Sequence, residues 1–340
     1  MGGDVLKVDV LAAPETAGSI LYGLYDILML PGAAWPRVVL GEPGEPLIRV
    51  RIVARTKKTF GCRGGVPVSP HAILNDAVEA DVVCVPNMTV PLDQCPYGWF
   101  AEEVDWLKGR YRAGATIATV CSGALLLAEA GLLDGEEATA HWAYEKTFRD
   151  FYPDVKFCPE RILTFAGDGD RMVLAGGMCS WQDLALYLIT RFLGPEHAVQ
   201  TSKFYVISDH TEGQLPYAAL SRRIQADDRA IGKCQVWLRD NYATADVVAQ
   251  MQELSGLPRR TFSRRFRAAT GYTPIEYVQA VRTEEAKQLL ETSTLPTEDV
   301  AIEVGYHDER AFRRVFRRRT GLSPSAYRKR FHHSRFSSPH

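Results

Sequence analysis

Arg260, Arg264 and Arg267 stand at i, i+4 and i+7, and Arg310, Arg314 and Arg317 repeat that spacing. On a helix each trio shares one face. Phe262 and Phe266, then Phe312 and Phe316, are i, i+4 pairs on a different face. A helix rooted in a core by phenylalanine, with guanidinium groups outward, is built to meet a polyanion. Arginine bonds bidentately to guanine edges and pairs with phosphates. The two segments are copies: Arg260–Tyr277 reappears as Arg310–Tyr327 at one offset of about fifty residues. A single basic run is usually a solvated helix face. A duplicated one in this setting points to DNA.

A second kind of chemistry is suggested by Thr119-Val-Cys121-Ser-Gly123-Ala-Leu-Leu-Leu. A strand running into a helix through Cys-Ser-Gly is the setting of a nucleophile elbow. The helix N-terminus is expected to lower the thiol pKa, and its N–H groups to hold an anion. His141, in Ala138-Thr-Ala-His-Trp142, follows about twenty residues on and makes a Cys/His nucleophilic site conceivable. Cys121 as a small buried hydrophobe and His141 as a structural histidine are the competing readings. Gly167-Asp-Gly-Asp170 has the composition of a calcium loop without its spaced ligands, and a hairpin turn explains it better.

The elements that must position these residues follow from the pattern. Val247–Leu254 and Val300–Val304 are short amphipathic stretches, each followed by a glycine turn at Gly256 or Gly305 and then by the basic helix. That is helix, turn, recognition helix, twice. Thr270-Gly271 and Thr320-Gly321 stop each basic helix. Thr273-Pro-Ile-Glu276 carries a capping box with proline at N1 and starts a helix running to about Glu291, a rigid spacer between the units. In the front of the chain, strands over 5–12, 47–54, 81–85, 116–120 and 172–174 alternate with helices over 17–30, 100–112, 124–130 and 180–192. This pattern implies a parallel sheet covered on both faces.

The chain has 340 residues and a net charge of −1, yet residues 236–340 carry 18 Lys and Arg against 12 Asp and Glu. A basic module on a mildly acidic body fits DNA binding at one end. The seven cysteines are scattered, without a zinc spacing, and read as reduced thiols of a cytoplasmic protein. No leader pattern or transmembrane run is evident, so no membrane association is expected.

The tandem units, with Gly-Tyr-His-Asp-Glu-Arg-Ala-Phe-Arg-Arg-Val-Phe-Arg-Arg-Arg-Thr-Gly-Leu-Ser-Pro-Ser-Ala-Tyr-Arg at 305–328, resemble the DNA-binding domain of AraC/XylS-type regulators. By motif position the resemblance places base-reading roles on Arg260, Ser263 and Arg264, and on Glu309, Arg310, Arg313 and Arg314. Arg265, Arg267, Arg317, Arg318 and Arg319 are then expected at phosphates. Residues 119–135 with 138–142 resemble the PfpI-type, class I glutamine amidotransferase-like superfamily, in the GlxA-like branch fused to AraC-type domains. The implied fold is a flavodoxin-like α/β sandwich followed by an all-α domain with two helix-turn-helix motifs. The implied limits are a sensing and dimerisation domain at 1–208, a linker at 209–228, the DNA-binding domain at 229–331 and a disordered tail at 332–340.

Two departures from catalytic members weaken an enzymatic reading. The glutamate partnering the elbow cysteine is replaced by Ser19 or Ile20, with Glu15 too early, and the Pro-Gly-Gly turn reads Pro86-Asn87-Met88. The resemblance therefore implies a transcription regulator, an activator more than a repressor, and neither catalytic residues nor a cofactor or metal. A small effector, an amino acid or quaternary amine by analogy, would sit near Cys121, Ser122, His141 and Asn87. Double-stranded DNA, a second copy and RNA polymerase are the implied partners. A cysteine-dependent amidase or hydrolase, or a thiol redox sensor, fused to a DNA-binding module is the alternative.

Overall fold

The computed structural model describes residues 5–76, 79–92, 94–207, 210, 213–220 and 228–332. Half of the expected linker and nearly all of the expected tail lie outside the described residues. The chain divides into two units, Met1–Gln214 and Leu215–His340.

Among its described residues the first unit has eleven strands. They are β1 (Leu6–Leu11), β2 (Ile48–Ala54), β3 (Phe60–Gly61), β4 (Pro67–Val68), β5 (Ala72–Ile73), β6 (Val82–Val85), β7 (Thr116–Val120), β8 (Glu137–Ala138), β9 (Lys156–Phe157), β10 (Leu163–Ala166) and β11 (Met172–Ala175). Seven form the main sheet in the order β10-β11-β7-β6-β1-β2-β5. All neighbours are parallel except the β10–β11 pair. The helices are α1 (Gly18–Leu28), α2 (Ala101–Arg112), α3 (Ala124–Glu129), α4 (Glu145–Phe151), α5 (Trp181–Leu193) and α6 (Pro195–Tyr205).

Every residue of β6, β7 and β11 is buried, as a parallel sheet with two covered faces requires. One apolar cluster includes Leu107, Leu126 and Phe148, from α2, α3 and α4. The other includes Leu21, Leu24, Leu184 and Leu188, from α1 and α5. This is the α/β sandwich expected from the strand–helix alternation. Residues 167–170 are the turn of the β10–β11 hairpin, as their composition suggested.

The second unit is helical: α7 (Arg229–Asn241), α8 (Val247–Ser255), α9 (Arg259–Thr270), α10 (Pro274–Thr292), α11 (Thr297–Glu303), α12 (Glu309–Thr320) and α13 (Pro324–Phe331). It has two cores. Ile231, Leu238, Met251, Phe262, Phe266 and Val278 form the first. Ala286, Leu290, Val300, Phe312, Phe316 and Tyr327 form the second. The helix α10 threads both. Thr273 and Glu276 bond reciprocally at its N-terminus, so the capping box forms as read. At about 1.5 Å per residue its 19 residues make a rod of roughly 28 Å. The basic helices end as the sequence suggests: the Gly271 and Gly321 N–H groups bond the carbonyls of Arg267 and Arg317, each at 2.8 Å. No helix among the described residues is long and apolar enough to cross a membrane.

Candidate functional site

The two halves of the second unit have one plan. In α8–α9 and α11–α12, a short helix, a glycine turn and a basic helix succeed one another. Phe262 and Phe266 are buried under α9, and Phe312 and Phe316 under α12, each pair in ring contact at 5.5–5.6 Å. Each buried phenylalanine contributes roughly 1.5–3 kcal/mol by removal from water, which fixes the roll of its helix and turns the opposite face outward. On α9 that face presents Arg260, Ser263, Arg264 and Arg267, all exposed. On α12 it presents Arg310, Arg313, Arg314 and Arg317, likewise exposed, with Glu309 half-buried. Arg313, Arg314, Arg317 and Arg318 line a groove closed by Gly321, Ser323 and Pro324.

Several arginines are already engaged, which spacing alone does not reveal. Arg265 makes a bidentate ion pair with Asp228 at 2.7 and 2.9 Å. The pair lowers the carboxyl pKa of Asp228, first through the Arg265 hydrogen bond. Arg265 thus holds an intramolecular partner in addition to its exposed position. Arg318 bonds Gln279 at 2.9 Å, and Arg319 is half-buried over the Tyr272 ring at 5.9 Å. Arg313 is held by Glu309, one turn earlier, at 2.6 and 2.8 Å. Arg260, Arg264, Arg267, Arg310, Arg314 and Arg317 remain outward, as does Arg259 at the start of α9.

In the first unit, β7 runs into a three-residue turn, Cys121–Gly123, and then into α3. Cys121 has φ +58°, a conformation uncommon for a residue with a side chain and characteristic of strained elbows. The turn is tight because it passes the end of β6. A Cβ on Gly123 would lie 2.6 Å from the carbonyl oxygens of both Val85 and Pro86. Only glycine fits without parting the backbones.

The electrostatics overturn one expectation. The Cys121 thiol is buried, and its pKa is pushed up to about 11, chiefly by loss of hydration. Hydrogen bonds from Ser122 and from the His141 main chain, with the charge of Arg63, oppose this and lose. The helix behind the thiol is too short to win: α3 has six residues, and dipole effects fade within a turn and are modest beside desolvation. The thiol is protonated near neutral pH, which disfavours a low-pKa redox cysteine and a ready nucleophile.

The remaining pocket residues are structural in part. Asn87 accepts from the N–H of Ala17, the residue before α1, at 3.1 Å. Ser122 donates to the Met88 carbonyl at 2.6 Å. His141 Nδ1 accepts from the Ala143 N–H at 3.2 Å, and burial lowers the His141 pKa. The structure thus brings Cys121 and His141 together through the histidine main chain, while the ring nitrogen serves a turn. Ile20 is core and Ser19 exposed, so neither partners the thiol. Thr16 lies at the Met88 side, its hydroxyl 3.2 Å from the Met88 sulfur. Sequence reading missed two neighbours of this site. Tyr144 is buried and donates to the Val90 carbonyl at 3.0 Å. Arg63 is exposed, and its charge reaches both Cys121 and Tyr144. Arg63 comes from a loop and Tyr144 from a single helical turn before α4, where no periodicity marks them. Among the described residues, no group of three or more His, Cys, Asp or Glu could hold a metal.

Comparison with known proteins agrees with both halves. Residues 253–330 match the model of a helix-turn-helix domain, and residues 36–154 that of the DJ-1/PfpI family. The HTH-type transcriptional regulator CdhR of Pseudomonas aeruginosa is 33% identical over 230 residues. That alignment covers 65% of each chain, just under two thirds of the regulator's length. The HTH-type transcriptional regulator GlxA of Rhizobium meliloti is 25% identical over 297 residues, 84% of this chain and 87% of that one. An isonitrile hydratase of Pseudomonas putida is 28% identical over 195 residues, 57% of this chain and 75% of that one.

Proposed function

We propose that the chain is a transcription regulator joining a DJ-1/PfpI-like domain to an AraC-type helix-turn-helix domain, and that it reads two successive DNA subsites under control of a small effector; the matches at 36–154 and 253–330 support this. One observation carries the reading. Two copies of an arginine-faced helix stand on buried phenylalanine pairs and are joined through one continuous helix, α10. Arg260, Ser263 and Arg264, with Arg310, Arg313, Arg314 and Glu309, take the base-reading positions, and Arg267 and Arg317 the phosphates. Bidentate arginine–guanine contacts give about 1–3 kcal/mol of discrimination each.

The effector site is assigned to the elbow. Cys121, Ser122, Asn87 and His141 form its floor, with Arg63 and Tyr144 beside them, and no turnover is required of it. A thiol held protonated by burial supports a binding role over a catalytic one. Effector occupancy controls transcription only if the effector binds two states of the chain with different affinity. The chain acts as a homodimer and as an activator working with RNA polymerase in the cytoplasm.

Selection of duplexes from a random pool by the full chain tests the first part. A single enriched motif with two conserved blocks is the expected result, and recovery of no motif overturns it. A thermal-shift panel of amino acids and quaternary amines tests the second. An effector at 100 times its Kd adds about 2.7 kcal/mol of stability to the unit that binds it.

A further inference from the structure

We propose that Arg282 is a positioning residue, a main-chain clamp that sets the orientation of one helix-turn-helix unit against the other and so the permitted spacing of the two DNA subsites. The inference rests on the DNA reading above and goes beyond it. The helix α10 passes through both cores, but a rod alone lets each unit rock on its own contacts.

Arg282 stands midway along that rod and reaches to both sides. Its Nε donates to the Tyr242 carbonyl at 2.7 Å and its Nη2 to the Thr244 carbonyl at 3.1 Å. Those residues form the connection from α7 to α8, in the framework of the first helix-turn-helix. Its Nη1 donates to the Gly305 carbonyl at 2.8 Å, in the turn between α11 and α12 of the second. The guanidinium also lies over the Tyr306 ring at 5.3 Å. A planar fork with fixed donor directions suits three carbonyls at fixed points, and a lysine ammonium cannot reproduce it.

The two turns so joined are in main-chain contact. Gly305 has φ +83°, and a Cβ there would lie 2.5 Å from the Ala243 oxygen and 2.7 Å from its Cα. The joint is extended by Arg319 over Tyr272 and by Arg318 on Gln279. Tyr242 packs against both cores. Holding a half-buried guanidinium on neutral carbonyls is unfavourable, and burial lowers the Arg282 pKa. The three charge-assisted hydrogen bonds offset that loss of hydration only while all three carbonyls keep their places.

The function of such a joint is geometric. One inserted base pair rotates the second subsite by about 34–36° and shifts it about 3.4 Å. A rigid reader cannot follow, and it loses the gain from linking two contacts. A reader free at the joint can follow.

The experiment uses the full chain, wild type and as Arg282→Ala and Arg282→Lys. The probes are the tightest duplex selected by wild type, the same duplex with one or two base pairs inserted between its blocks, and each block alone. Wild type is expected to lose about tenfold or more per insertion. Arg282→Ala is expected to bind single blocks within about twofold of wild type, bind the parent duplex about tenfold less tightly, and lose under threefold on the inserted duplexes. Arg282→Lys should fall between. An Arg282→Ala spacing profile matching wild type overturns the clamp. If Arg282→Ala fails to fold by circular dichroism, Arg282→Lys decides: a flattened profile supports the clamp and an unchanged one refutes it. Failure of wild type to select any duplex would instead sink the DNA reading itself.

Discussion

Removing Arg264 and Arg314 together should abolish most specific DNA binding while leaving the fold intact. Both side chains are exposed, one on α9 and one on α12. Truncating a base-contacting arginine costs about 1–3 kcal/mol, or roughly 5- to 150-fold in Kd. The two residues stand on helices with separate cores, so their effects should add within about 0.5 kcal/mol. The double variant is then expected to lose about 2–6 kcal/mol, at least about thirtyfold in Kd. Folding stability should change by no more than about 0.5 kcal/mol per site, because neither truncation opens a core. Fluorescence anisotropy on a selected duplex at fixed salt gives the first quantity, and thermal unfolding of the same samples the second. Wild-type affinity in both single variants would refute the assignment. So would an affinity loss matched by an equal loss of stability, since that would make these arginines part of the fold.

Further outcomes follow from the same geometry. With its pKa at about 11, Cys121 should be thiolate in only about one molecule in ten thousand at pH 7, so maleimide mass mapping should label exposed Cys95 and Cys179 first. Labelling of Cys121 ahead of them would contradict the burial argument. His141 has its pKa lowered in the fold, so its neutral form contributes stability above the unfolded value near 6.5 that is lost as pH falls through the folded value. His141→Gln should reduce the acid sensitivity of first-unit unfolding in that range, and an unchanged pH profile would contradict this. Phe266→Ala removes a fully buried ring of the first helical core and should cost the second unit about 3–5 kcal/mol. Urea unfolding followed by far-ultraviolet dichroism reads this, and a cost below about 1 kcal/mol would contradict the core assignment.

What the sequence made legible was what repeats or alternates. The doubled arginine and phenylalanine spacing located both recognition helices, because a helix face is written in steps of three and four. The runs read as strands at 81–85, 116–120 and 172–174 fall on β6, β7 and β11, because strands buried on both faces are rich in apolar and β-branched residues. Less visible were α6, whose apolar and polar residues are poorly segregated, and β10, a four-residue edge strand in which exposed Phe165 alternates with buried Thr164 and Ala166. Invisible were the pairings between distant segments. Nothing local to Arg265 indicates Asp228, 37 residues away. Nothing near Arg282 announces three carbonyls from two other turns. The thiol pKa misled for a related reason. The elbow motif reports a helix N-terminus, while the desolvation that dominates it comes from how the whole sheet edge packs. Nothing local to Asn87 indicates that its side chain accepts from the Ala17 N–H, 70 residues away.

The account stands on two arginine-faced helices engaging one duplex together. Hydroxyl-radical footprinting of the full chain on a selected duplex tests this directly. Two protected blocks about one helical turn apart on the same face of the DNA are the result it predicts, with Arg264→Ala erasing one block and Arg314→Ala the other. A single protected block that survives either substitution would contradict it.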